Sequence, residues 1–522
     1  MGGAARRPYG RSMRPRLPHL PWKRLLAAGA AVLVLLAGLV VGAGAWVYSR
    51  AVTSNVGDLD FANELAIPPL AETTVAPDGT KEVDLRFTAG RTHLVDDGPS
   101  ETWGLNGTYL GPTIRAERGD RVRVNVTNGV DETTTLHWHG IHLPARMDGG
   151  PHQLVEPGAT WSPTWTIDQP AATLWYHPHL HGATADHVYR GAAGMFLVDD
   201  PAHAPELPDS YGVDDIPLIV QDKSFDGDGD LDTGGRPFSS VGVLGDTMVV
   251  NGTVNPHLDV TTEKVRLRVL NASNARVYDL GFPDGRSFWQ VASDGGLLAQ
   301  PHRTDRVQLS PGERAEIVVE MAPGDEAVLR SFAPDLGVGF ADRFSGGDDT
   351  FDIVQLRAAT ELAPSPPMPH ELATIDAPDP GDAETTRTFR LSGTRINGEK
   401  MDMGRVDEVV TAGATEIWEV TNGGSQPHSF HPHLVHFAVL DVDGEPPPPE
   451  LAGWKDTIYV PPGTTTRFIA RFDGPADPAT PYMFHCHVLR HEDRGMMGQF
   501  VVVEPGDDPA LSVRGGDPGH DH

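Results

Sequence analysis

Three short marks recur in the same order, spaced by about 150 residues, a domain length. The first is Asn-Gly, at Asn106-Gly107, Asn251-Gly252 and Asn397-Gly398. The second is an alternating run that stops at asparagine: Arg121 to Asn128, Val265 to Asn271 and Glu416 to Asn422. The third is Pro-Gly before another such run, at Pro157-Gly158, Pro311-Gly312 and Pro462-Gly463. Self-similarity of this length marks one structural unit used three times. Strict alternation means half-buried antiparallel sheet, so the pattern predicts three consecutive β-sandwiches. The 58 glycines and 46 prolines suit a turn-rich all-β chain.

The flanking segments read differently. Residues 1–24 carry seven bases and no acid, and Leu25 to Tyr48 is an unbroken apolar run long enough to span a bilayer. The bases keep their side in the cytoplasm, which places the large body outside, at the cell membrane, on a single-pass anchor. Ala43-Gly44-Ala45 resembles a cleavage site and makes a secreted form the alternative, but the run exceeds a usual signal core. Residues 49–80 read as a tether, and 81–200, 201–361 and 384–505 as the three sandwich domains. The Pro-rich stretch 362–383 reads as a linker and 506–522 as a disordered tail. Net charge is −31, and setting aside the seven leading bases leaves −38 on the body. Such a body repels nucleic acid and attracts cations. A monomer is expected.

The one cysteine, Cys486, lies in Tyr482-Met483-Phe484-His485-Cys486-His487, followed by His491, Met496 and Met497. It has no intramolecular disulfide partner, and a lone exported thiol is a liability unless something such as a metal occupies it. Thiolate, imidazole and a distant thioether form the ligand set of a blue-copper electron-transfer site. On a strand, Cys486 would face one way and His485 and His487 the other. One strand would then touch two metal centres about 10 Å apart. Three more motifs supply partners: His137-Trp138-His139, His177-Pro178-His179, and His428 with His431-Pro432-His433. Histidines at i and i+2 on a strand share a face and can bridge neighbouring metals. The middle repeat has Asn271-Ala272-Ser273-Asn274 there instead. The metals are therefore expected between the first and third domains, with the second as a spacer.

In motif order over residues 80–505, the chain resembles the three-domain bacterial multicopper oxidases: laccases, cuprous oxidases and bilirubin oxidases. The resemblance implies cupredoxin-like Greek-key sandwiches holding four coppers. It assigns His428, Cys486 and His491 to the type 1 copper, with Met496 as the axial ligand. Met497 is an alternative, although the spacing from His491 favours Met496. It gives His137 and His431 to the type 2 copper. One type 3 copper takes His139, His177 and His487, and the other takes His179, His433 and His485. Ser429 stands where the family usually has proline. Asp148 and Glu492 match acids that supply protons, which oxygen reduction consumes. The implied reaction couples one-electron oxidation of phenols, aromatic amines or metal ions such as Cu(I) to reduction of O2 to water. A nitrite reductase needs fewer ligands, and a copper-homeostasis protein or scaffold on the same fold is the alternative of another class.

No methionine-dense segment is present, so an accessible imidazole edge of the type 1 site is the expected electron entry. His142, His152, His181, His187 and His436 lie outside the ligand spacing and suit supporting or packing roles. Asp226-Gly227-Asp228-Gly229-Asp230-Leu231-Asp232 resembles half a calcium loop but has Leu231 at its sixth position, so an acidic turn is expected. His520 and His522 could capture copper, but a disordered tail is the better reading.

Overall fold

The computed structural model describes residues 1–3, 22–236, 239–510 and 512–513. Most of the basic leader and both tail histidines therefore lie outside the described residues. Trp22–Ser49 forms a 28-residue helix whose most apolar window has a mean hydropathy of 2.6, a unit apart from the body. An anchor and a signal sequence share those features.

The body is built of sheets packed in pairs, each pair closing over its own apolar core. In the first pair a four-stranded sheet runs Ile114–Glu117, Gly194–Asp199, Ala172–His177, His137–His139, with the short histidine strand at its edge. In the third, a five-stranded sheet runs Glu408–Thr411, Met497–Val503, Asp477–Cys486, His428–Pro432, Ile458–Val460. The middle pair joins a seven-stranded and a six-stranded sheet, and its apolar core contains none of the candidate ligands.

The three repeated marks have one structural cause. Asn106, Asn251 and Asn397 adopt left-handed backbones (φ 59°, 51° and 53°), which asparagine tolerates in tight turns. Each side-chain amide then bonds the neighbouring strand: Asn106 Oδ1 accepts from the Arg86 N–H at 2.7 Å, and Asn251 Oδ1 from the Ile219 N–H at 2.8 Å. Asn397 does the same with Arg390 at 2.7 Å. The strand-ending asparagines Asn128, Asn271 and Asn422 are fully buried. In each, Nδ2 donates to two backbone carbonyls; for Asn271 these belong to Arg276 and Leu309, at 2.8 and 2.9 Å. In each, Oδ1 accepts from the backbone two residues on. The glycine of each Pro-Gly returns an N–H to that same asparagine's carbonyl.

The flanking segments also make defined contacts with the body. The tether is not free: Asn63–Glu64 pairs with Pro256–His257 as an edge of the middle pair, and Thr73–Val75 pairs with Lys81–Val83. The linker is docked as well, because Leu372 is buried and its N–H bonds the Ala299 carbonyl at 3.0 Å. In the tail, Ser512–Val513 pairs with Arg405–Val406. The acidic turn at Asp226 docks on the first sandwich through Ser100 and Glu101, where Glu101 N–H bonds Asp230 Oδ1 at 2.6 Å.

Asn271→Ala removes three buried hydrogen bonds and leaves their backbone partners unpaired. A loss of roughly 3 kcal/mol is expected, at about 1 kcal/mol per bond. A urea midpoint that matches the parent would refute this.

Candidate metal centre

The histidine strand His137–His139 pairs with Ala172–His177 so that His137 lies opposite His177. In the third sandwich His431 lies opposite His485, and Phe430 opposite Cys486. These two edges face each other, and rings from one interleave with rings from the other. His137 stacks on His433 at 3.9 Å, and His139 stacks on His431 at 3.8 Å and 9°. His179 and His485 meet through their Nε2 atoms at 3.1 Å. His487 faces His139 at 5.0 Å and His177 at 5.3 Å. All eight imidazoles are buried.

The local geometry differs from a plain strand reading. The strand Asp477–Cys486 stops before His487, and His179 and His433 also lie just past their strands. His487 keeps its place through its N–H to the Ser429 carbonyl at 2.6 Å. On the opposite face, Cys486 Sγ lies 3.4 Å from His428 Nδ1 and 3.7 Å from His491 Nδ1. The Met496 carbonyl accepts from the Cys486 N–H at 3.1 Å, and Met496 is buried in the same core. Met497 instead lines a separate crevice with Ile396 and Asp407, which favours Met496.

Most of the rings have a partner on one nitrogen, whereas both nitrogens of His487 are bare. His137 Nδ1 donates to the Asp148 carbonyl at 2.9 Å, and His433 Nδ1 to Asp148 Oδ2 at 2.7 Å. His431 Nδ1 donates to the Asp456 carbonyl at 2.7 Å, and His177 Nδ1 to Pro178 O at 2.8 Å. The Nε2 atoms of these four rings are then buried without a partner. His139 is reversed: Nε2 donates to Asp456 Oδ1 at 3.0 Å and Nδ1 is left bare. Glu492 lies 3.2 Å from His485 Nδ1 and 3.4 Å from His179 Nδ1. Burial raises its pKa, but the two imidazoles outweigh that and lower it, so it rests as a carboxylate. Burial pushes the Cys486 thiol up to about 12, so without a metal it stays protonated. Bare, dry imidazole nitrogens beside a buried thiol and thioether are the donor set copper requires.

Comparison with known proteins agrees. Multicopper oxidase domains match residues 88–203 and 365–506. The chain is 36% identical over 449 residues to the multicopper oxidase mco of Staphylococcus haemolyticus, covering 84% of this chain and 93% of that protein. The chain belongs to the multicopper oxidase family. It is also 38% identical over 451 residues to the cell division protein FtsP of Edwardsiella tarda, covering 84% of this chain and 92% of that one. Its fold matches a laccase-like multi-copper oxidase, CueO, from an Ochrobactrum species (TM-score 0.76, 37% identity, 84% of this chain and 100% of that one). The fold is that of cupredoxin-like multicopper oxidases, and membership of the family implies a copper cofactor.

Two sequence expectations fail in this multicopper oxidase. The imidazole edge is not exposed: His428 and His491 are fully buried. The middle sandwich covers them, with the Ser240 carbonyl accepting from His491 Nε2 at 3.1 Å and Val241 and Leu244 joining the core around Cys486. Nor is the middle sandwich a bare spacer, because its Arg314 reaches Asp456 beside the cluster. Asp456 itself carried no signal in the sequence, being an isolated acid outside any His-x-His pattern. Among the other histidines, His436 donates to the Gly140 carbonyl at 2.9 Å and His152 Nε2 lies 2.8 Å from Gln499 Oε1. His142 lies 3.7 Å from Asp168, His187 packs on Trp103, and His181 is exposed.

Burial lowers His139, His177, His431 and His433 well below the usual value, His179 and His487 to about 3, and His491 to about 4. An unfolded histidine titrates near 6.5, so below that pH the unfolded chain gains protons that the native state refuses. The lowered histidines outnumber the carboxyls raised into this window, Asp279, Asp294 and Asp493. The metal-free protein should therefore lose thermal stability as pH falls from 7 to 5, and bound copper, whose imidazole ligands must stay deprotonated, should raise the melting temperature at each pH without removing that loss. A flat melting temperature across this range in the metal-free protein would contradict it.

Proposed function

We propose that the protein is a four-copper oxidase that takes single electrons from a reductant and delivers four of them to O2, giving two waters. The observation that carries this is the interleaving of eight buried imidazoles from two sandwiches, one peptide bond from a separate Cys/His/Met set. His428, Cys486, His491 and Met496 would hold the type 1 copper, and His137 and His431 the type 2. His139, His177 and His487 would hold one type 3 copper, and His179, His433 and His485 the other. Bound copper supplies the one-electron redox chemistry. The chain supplies the covalent link from Cys486 to His485 and His487, a dry pocket and the proton traffic.

Two carboxylates suit that traffic. Asp148 keeps Oδ1 buried and bare while its other oxygens hold His137 and His433. Glu492, a carboxylate between His179 and His485, suits a relay that accepts and passes protons. The covered type 1 site supports outer-sphere oxidation of reductants that dock on the surface: phenols, aromatic amines, or metal ions such as Cu(I) drawn to an acidic body. We further infer that the helix Trp22–Ser49 anchors the enzyme, with its domains (81–200, 201–361 and 384–505) outside the cytoplasm. The likeness to FtsP favours one other reading, a scaffold without turnover, which needs none of the ligands found here.

Copper analysis of the purified protein beside an oxygen electrode separates these readings. The oxidase reading expects four coppers per chain and O2 uptake with a phenol; a copper-free protein would support the scaffold. Cys486→Ser should remove the blue thiolate absorption and reduce turnover at least about a hundredfold, equivalent to roughly 2.7 kcal/mol. A variant that stays blue would remove Cys486 from the site. Asp148→Asn should slow turnover most at neutral and higher pH, where protons are scarce. A parental pH profile in that variant would dismiss its proton role.

A further inference from the structure

Arg314 belongs to the middle sandwich, at the start of the strand Arg314–Glu320, and its side chain is fully buried. All five of its N–H donors are used. Nε donates to the Thr173 carbonyl of the first sandwich at 2.9 Å. Nη1 donates to the Gly312 carbonyl at 3.1 Å and to Asp456 Oδ1 at 2.7 Å. Nη2 donates to the Asp294 carbonyl at 2.8 Å and to Asp456 Oδ2 at 2.7 Å. One guanidinium therefore joins all three sandwiches and grips both oxygens of Asp456.

Asp456 in turn holds two histidines that belong to different sandwiches. Its Oδ1 accepts from His139 Nε2 at 3.0 Å, and its backbone carbonyl accepts from His431 Nδ1 at 2.7 Å. Those two rings are the pair stacked at 3.8 Å. The same turn of the middle sandwich touches the cluster elsewhere. Gly312 has φ +89°, and a Cβ there would lie 2.9 Å from the His487 ring. Ser310 Oγ bonds Ser429 Oγ at 2.8 Å, at the position where the family usually has proline.

We propose that Arg314 is a positioning residue for the copper cluster: by clamping Asp456 it fixes which nitrogen His139 turns inward and holds the His139–His431 stack in register. An imidazole ring flips about one bond, and the acceptor at Asp456 Oδ1, with the Thr457 hydroxyl that itself donates to that oxygen at 2.8 Å, commits His139 to presenting Nδ1. A free carboxylate could rotate away from that task; a carboxylate held on both oxygens cannot. Lysine cannot replace the clamp, because a point-charge ammonium with three donors does not match a bidentate carboxylate. The middle sandwich thus supplies no candidate ligand yet sets the geometry of ligands on both sides. The inference rests on the copper-oxidase reading above.

The test compares full-length Arg314→Lys and Asp456→Asn with a control, Arg268→Lys. Arg268 is also buried and pairs with Asp215 and Glu316, but it touches no histidine. The readouts are the blue absorption, copper retained against a competing chelator, and the electron paramagnetic resonance signature of the type 2 copper. Arg314→Lys and Asp456→Asn should stay blue, lose cluster copper affinity at least about tenfold and show altered type 2 parameters. Arg268→Lys should melt earlier yet keep parental copper affinity and parental resonance. If Arg314→Lys does not fold, Asp456→Asn decides alone. Parental affinity and resonance in Asp456→Asn overturn the inference, as does an equal loss in Arg268→Lys, which would indicate general loosening. A copper-free parent protein refutes the oxidase reading itself, whereas a four-copper parent with unchanged variants refutes only the role of Arg314.

Discussion

Eight imidazoles share one dry interface, and a dry interface does not tolerate their charge. Burial holds most of them neutral, and a neutral imidazole has one nitrogen that donates and one that accepts. The structure therefore places an acceptor beside seven of the rings, so that a lone pair points inward, and leaves His487 to be held by its backbone. Asp148 serves His137 and His433, Asp456 serves His139 and His431, Glu492 serves His485 and His179, and the Pro178 carbonyl serves His177. Three carboxylates and three backbone carbonyls thus determine how a cluster from two sandwiches is aimed.

That requirement explains the cost the fold accepts around it. Asp456, Arg314, Asp294, Lys455 and Glu313 form a fully buried charged network, with Lys455 Nζ 2.7 Å from Glu313 and 2.8 Å from Asp294. Buried ion pairs give little net stability over apolar packing of the same volume, because desolvation offsets most of their attraction. Their use here is orientational. Apolar contacts are non-directional and could not select between the two nitrogens of His139.

The Cys486 side is arranged on another principle. His428, His491 and Cys486 are sealed by Val241, Leu244 and the Ser240 carbonyl of the middle sandwich. A sealed site limits water and keeps the thiol inert until metal binds, in line with the raised thiol pKa. It also keeps both imidazoles out of solvent, beneath Ser240, Val241 and Leu244. The middle sandwich therefore touches both candidate sites while providing a candidate ligand to neither.

Much of this was legible in the chain. The Asn-Gly, Asn and Pro-Gly marks determine the turns and the buried amide bonds of each sandwich, because those interactions are local and repeat with the sequence. The His-x-His motifs and the lone cysteine determine the donor chemistry, since few residue types ligate copper. The separation of Cys486 from His485 onto opposite faces follows from strand geometry alone. Tertiary structure decided the rest. Asp456 became a holder of His139 and His431 only when two sandwich edges met, and Arg314 reached it from 142 residues away in sequence. The burial of His491 under Ser240 depends equally on a distant loop. A pattern records periodicity and residue type along the chain, whereas a hydrogen bond between domains depends on distances that appear only when the cores pack together.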